Sequence, residues 1–305
     1  MPDHEAKPKN TNIITPPELI EKKLAAQSRW KTLFWIQRNP GVVIGGLTFM
    51  VLAVVAVFAG SLTTIDPMQL DADRIFMAPG ADYWFGGDAM GRSIWSRTVF
   101  GSRISLMVGF SVVILATSGG LFIGLISGYF RLADAVIMRI MDGLMAIPGI
   151  LLAIALMTLS EPSVRNVVIA ITIPNLPRVV RLIRAMVLSI REQPFVEAAI
   201  AAGTGTGRII FRHILPITLA PLAVQATYIF AAAIINEAYL SFLGAGTPPE
   251  ISSWGNIMSE GRAYFSLAPW LILIPGTSIA ITVLAMNVLG DGLRDMLDPR
   301  VARKL

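Results

Sequence analysis

Six stretches free of Asp, Glu, Lys and Arg limit what this chain can become: residues 39–65, 104–130, 143–160, 166–177, 213–236 and 263–290. Backbone inside a bilayer must satisfy its own hydrogen bonds, so apolar runs of this length fold as helices. A crossing needs about 20 apolar residues, and five of the six runs reach or approach that length. The fourth is short and holds Pro174 and Pro177, so it spans only by continuing through Arg178, Arg181 and Arg184. The pattern predicts an all-α integral membrane protein with six transmembrane helices. The chain is 54% hydrophobic and 15% charged, whereas soluble domains carry about 25% charged residues. It has no cysteine, which excludes disulfides and thiolate metal sites.

The basic residues set the orientation. Six crossings place the N-terminal tail, the loops near 131–139 and 178–212, and the C-terminus on one side, which then carries 19 of the 25 Lys and Arg residues. Arg74, Arg92, Arg97, Arg103, Arg165 and Arg262 fall on the other. Positive charge stays cytoplasmic, so both termini are expected inside. Residues 1–28 are polar and proline-bearing, and read as a mobile cytoplasmic tail. Trp30, Leu33, Phe34 and Trp35 lie among Arg29, Lys31 and Arg38; this suits an interfacial helix over 29–40, or simply the cytoplasmic start of the first span. The first span is expected at 41–65, an extracytoplasmic loop at 66–103, the transmembrane core at 104–292 and a cytoplasmic tail at 293–305.

Within that core, residues 185–215 form a cytoplasmic loop with a compact helix signal: Glu197, Ala198, Ala199, Ile200, Ala201, Ala202 and Gly203. An acid in the first turn suits the helix dipole, alanines favour a short helix, and glycine accepts the left-handed conformation that stops one. Arg208 and Arg212 follow, and Pro216 stands thirteen residues after Gly203. Small side chains admit close approach by another backbone. The segment reads as a docking knob, or as an ordinary alanine-rich surface helix.

Glu-Ala-Ala, three residues, Gly, and then Leu215-Pro216 resembles the coupling-loop signature of permease subunits of bacterial ABC importers. His213-Ile214-Leu215-Pro216 resembles the branch that imports dipeptides, oligopeptides and nickel, although Ile217 stands where that branch often has Asn. Other landmarks agree. Gly86-Gly87-Asp88, Gly91-Arg92-Ser93, Ser96-Arg97 and Gly101-Ser102-Arg103-Ile104-Ser105-Leu106 resemble the outer-loop pattern of peptide-importer permeases, with Gly87 and Ser93 in place of the usual Thr and Asp. Gly290-Asp291-Gly292-Leu293-Arg294-Asp295 and Asp298-Pro299-Arg300 close the match.

The resemblance implies a type I ABC-importer-like permease, of the second (C-type) kind, in a bacterial inner membrane. It assigns ATPase coupling to Glu197 through Gly203, Arg208, His213, Leu215 and Pro216. It also implies a homologous second permease, two cytoplasmic ATPase subunits that bind ATP and magnesium, and an extracytoplasmic substrate-binding protein. This chain itself is expected to bind no cofactor or metal and no nucleic acid; its other partner is lipid. The solute would be a peptide or a related small molecule. The alternative is a secondary transporter or a channel-type subunit without ATPase partners.

The remaining features read mostly as structure. Gly120, Gly124 and Gly128 recur at a spacing that permits close helix packing in lipid. Arg139 and Asp142, three apart, suit a pair on one helical face. Arg178, Arg181 and Arg184 read as arginines snorkelling to the headgroups. Glu237 ends the fifth run near the outer face and reads as a solvated carboxylate; with Trp254 it is also the candidate for a gate or receptor-docking role. An enzyme is not expected. Lys31 follows Trp30 and the next lysine is Lys304, so no P-loop exists. His4 and His213 are the only histidines, which excludes a two-histidine zinc helix.

Overall fold

A computed structural model describes residues 39–81 and 83–297, so the expected tail 1–28, most of the segment 29–40 and the last eight residues lie outside the described part. The chain divides into Met1–Pro40 and Gly41–Leu305. The second unit holds all the described helices, apart from the first residue of the first. Helices dominate, and the sole β feature among the described residues is an isolated bridge between Gly87 and Ser93. Five helices are long and apolar enough to cross a membrane, six if one bent pair counts as a single span.

The first helix, α1 (Pro40–Val57), buries only Gly45 and Ala56 and exposes Ile44, Leu47, Met50 and Val51. A helix apolar on all sides suits lipid on its outer face. It meets the last helix, α11 (Trp270–Leu297), through glycine: a Cβ on Gly45 would lie 2.6 Å from the Ala285 carbonyl oxygen. A short turn of helix, α2 (Ala59–Leu62), ends the first crossing.

The second crossing, α3 (Ile94–Tyr129), begins ten residues before the charge-free run does. Ser93 caps it by accepting the Ser96 amide at 3.3 Å. The last ten residues of the expected loop 66–103 are thus helical. Arginines inside a membrane-length helix are tolerated when paired, and these are. Arg97 is held by Asp88 and Glu260, and Arg103 donates to the Ala56 and Val57 carbonyls at the end of α1, at 2.6 and 2.7 Å.

The charge-free run 143–160 does not fall within a single helix but on a bent pair. The pair is α4 (Arg131–Ala146) followed by α5 (Gly149–Thr158), bent by 87°. Pro148 accounts for the break, because a residue preceding proline is pushed out of the helical region, and Ile147 is extended at φ −95° and ψ 129°. The fourth crossing, α6 (Val164–Arg191), does continue through its prolines and arginines as expected. Its buried Val179, Ile183 and Val187 face the glycine stripe of α3.

Two pairings differ from expectation. Asp142 pairs with Arg181 at 2.5 Å rather than with Arg139. Arg184 does not snorkel but makes two bonds to Asp134, at 2.5 and 2.7 Å. Packing of α4 across α6 brings these opposite charges together, and a partner across helices outcompetes a reach to the headgroups. The last helix also runs on to Leu297, past the expected boundary at 292.

The glycine stripe gives a direct test. A Cβ on Gly124 would sit 2.7 Å from the Ile183 Cβ and 3.0 Å from the Val180 carbonyl oxygen, neither of which is the free end of a flexible side chain. Gly124→Leu is expected to destabilise the protein by about 1–3 kcal/mol, the usual cost of overpacking. Gly143, with nothing within 4 Å of its Cβ position, supplies the control Gly143→Ala. Thermal unfolding in detergent should lower the Tm of the first variant and spare the second.

Candidate functional site

The loop after α6 folds as the sequence suggests. Helix α7 (Pro194–Ala201) opens with proline at its first turn, where the missing amide proton costs nothing. Glu197 lies in that first turn. The helix stops in a Schellman arrangement: the Gly203 amide donates to the Ile200 carbonyl at 2.9 Å, and the Thr204 amide to the Ala199 carbonyl at 3.0 Å. Gly203 takes φ +76°, the left-handed region that this closure needs.

One side chain anchors α7. Val196 is fully buried in the core that also holds Ile190, Ile209 and Ile214. The rest of the helix is displayed. Glu197, Ala198, Ile200, Ala201, Ala202, Gly203 and Arg208 are exposed, while Ala199 is half-buried. Glu197, Arg208 and Arg212 enter no ion pair among the described residues, so their charges face outward unmatched. Phe195 and Phe211 add apolar surface that the sequence motif did not flag; they are 46% and 69% exposed. His213 is half-buried, with its ring 6.3 Å from that of Phe195.

The chain then returns to the membrane through α8 (Thr206–Ile209), a π-helical turn (Ile210–Ile214) and α9 (Leu215–Phe242) as one continuous rod. Pro216 has no amide hydrogen and its ring crowds the preceding turn. The wider π turn, in which the Leu215 amide bonds the Ile210 carbonyl, relieves that crowding. Leu215-Pro216 thus marks where the displayed loop joins its supporting helix.

The outer end is organised differently. Glu237 is wholly buried, which corrects the expectation of a solvated carboxylate. Its oxygens accept from the Ser241 hydroxyl at 2.9 Å and the Ser105 hydroxyl at 3.3 Å. Trp254, the first residue of α10 (Trp254–Gly261), is also buried and donates its indole N–H to the Thr98 carbonyl at 3.0 Å. Neither side chain is presented on the surface. Together they tie α9 and α10 to α3.

A buried ion cluster lies nearby, and single-sequence reasoning missed it. The Asp88 carboxylate accepts from Arg92 Nε at 2.6 Å and from Arg97 Nη1 at 2.8 Å. Glu260 on α10 accepts from Arg97 at 2.7 and 3.0 Å and also from Arg92. Gly91, at φ +73°, folds the loop so tightly that a Cβ would strike the Asp71 carbonyl. One acid and two arginines within 88–97 were the available signal; Glu260 had none.

Membrane-length helices around a small, well-anchored helix displayed between two of them define a multi-helix membrane protein with an exposed loop helix. Residues 120–303 match the family described as "Binding-protein-dependent transport system inner membrane component", and the chain belongs to that family. It is 48% identical, over 88% of its length and 92% of the relative's, to a probable peptide ABC transporter permease protein of Sinorhizobium fredii. It is 43% identical to the dipeptide transport system permease protein DppC of Alkalihalophilus pseudofirmus, over 92% of this chain and 93% of that one. Among solved structures, the inward-facing MetNI methionine ABC transporter in its CY5 native crystal form superposes with TM-score 0.55 and 20% identity, covering 66% of this chain and 96% of that one. At that identity the likeness concerns the fold alone.

Proposed function

We propose that this chain is one of two permease subunits of an ATP-driven importer of dipeptides, oligopeptides or a related small solute such as a nickel complex. The carrying observation is α7: a helix held by one buried valine, closed by Gly203 and displaying small side chains. The peptide-transport names of the relatives and the His213-Ile214-Leu215-Pro216 sequence support the solute class.

In this reading two cytoplasmic ATPases grip α7 and its counterpart on a homologous second permease. Glu197 through Gly203 make the close contact, Arg208 supplies charge, and His213, Leu215 and Pro216 brace the loop on α9. ATP and magnesium reside on the ATPases; this chain binds no cofactor and catalyses no reaction of its own. Closure of the ATPases draws the two docking helices together and switches the permease pair from inward- to outward-facing. An extracytoplasmic binding protein delivers solute at the outer end. There Glu237 and Trp254 act in the gate from within the packing, by holding α9 and α10 to α3.

The test is reconstitution. The purified chain alone should neither hydrolyse ATP nor accumulate trialanine in vesicles. Both activities should appear with the second permease and ATPases, and uptake should require the binding protein as well. Uphill uptake by this chain alone, driven by a proton or sodium gradient, would instead establish a secondary transporter.

A further inference from the structure

A cleft of about 260 Å³ opens between α5, α6 and α9, lined by Gly149, Pro174, Asn175, Arg178 and Asn236 among others. Arg178 stands at the midpoint of α6, which runs Val164–Arg191, so about 20 Å of helix extends on either side of it. A cation at such a position is expensive and must pair or face water. The next two arginines on this helix are paired, Arg181 with Asp142 and Arg184 with Asp134. Arg178 is exposed and enters no ion pair among the described residues.

The surroundings fit a passing anion. No carboxylate lines the cleft, and Arg178 is its single charged residue. Two carboxamides flank it. Asn175 is buried and donates to the Ile171 carbonyl at 2.8 Å, while Asn236 is half-buried. Gly149 brings irregular backbone to the cleft, at the α4–α5 break. Irregular backbone at membrane depth is tolerated where it lines a watery cavity rather than lipid.

We propose that this cleft is a relay site on the translocation path, where Arg178 takes the carboxylate of the passing solute while Asn175 and Asn236 supply neutral hydrogen-bonding surface. The inference rests on the importer reading above and adds to it the group recognised: a free C-terminal carboxylate. A guanidinium fork matches a carboxylate in two-point contact. A single cation in an open cleft also lets the anion leave, as conduction requires.

The test uses the complete importer in proteoliposomes. Wild-type uptake of trialanine is measured first, and its absence would count against the importer reading. The cleft is probed separately. Because the chain lacks cysteine, Ala232→Cys on the cleft lining provides its single thiol with Arg178 intact, expected to react with a membrane-impermeant methanethiosulfonate and to be protected by trialanine but not by trialanine amide. An unreactive thiol in the assembled complex, or equal protection by both probes, overturns the proposal. Arg178→Gln should lower trialanine uptake about tenfold or more, the equivalent of one lost charge-assisted bond, and Arg178→Lys should recover much of it. Uptake of trialanine amide, normalised to its own wild-type rate, should change little. Equal falls for the two probes would assign Arg178 to structure or to the partner permease and sink the idea.

Discussion

Arg97→Ala is expected to cost about 3–5 kcal/mol, the range for removing one member of a buried ion pair. Arg97 is fully buried, and it bonds both Asp88, also buried, and Glu260. Alanine would leave the buried Asp88 and the partly exposed Glu260 to share Arg92. Arg74 offers the control. Its pair with Asp71, at 3.0 Å, is partly exposed on both sides, so Arg74→Ala should cost no more than about 1 kcal/mol. Unfolding of the detergent-solubilised complex measures both. Similar small losses for the two variants would mean that the outer cluster is solvated. A large loss for Arg97 alone would establish it as the clasp between the outer loop and α10.

Gly203→Val should act on coupling rather than on folding. Nothing lies within 4 Å of the position a Cβ would occupy, so the residue's cost comes from its backbone, at φ +76°. A left-handed non-glycine residue costs roughly 1–2 kcal/mol. That is too little to unfold a protein of six crossings, yet it changes a two-state population by about 5- to 30-fold. The population at stake is α7 closed by its Gly203 and Thr204 amides. Membrane insertion should therefore persist while ATP-driven uptake collapses, further still where the valine methyls meet the ATPase. Gly203→Asn, which tolerates the left-handed region better, should retain more transport than Gly203→Val. Equal activity of all three proteins would show that the closure of α7 is irrelevant to transport.

How much of this was legible in sequence depends on how local each feature is. Helix α7 was readable because its acid, alanines and glycine lie within a few residues of one another and its closing hydrogen bonds are local. The glycine stripe was readable because its spacing alone makes a flat face. The arginines were not, since their partners are distant: Glu260 lies 163 residues from Arg97, and Asp134 lies 50 from Arg184. Helix boundaries drawn at charges therefore stopped short at Ile104. Glu237 misled for the same reason, because the Ser105 hydroxyl that helps to solvate it comes from another helix. The α4–α5 bend had a local signal in Pro148, which a run counted only by charge passes over.

Cysteine crosslinking at α7 tests the central claim most directly. The chain has no native cysteine, and Ala201 is exposed on α7. In the assembled complex, Ala201→Cys should form a disulfide with a cysteine placed in the ATPase groove, and Gly203→Val in the same chain should abolish it. The opposite result would be a thiol at 201 that reacts with reagent from the extracytoplasmic side and never crosslinks to the ATPase. That would place α7 on the wrong face of the membrane for coupling.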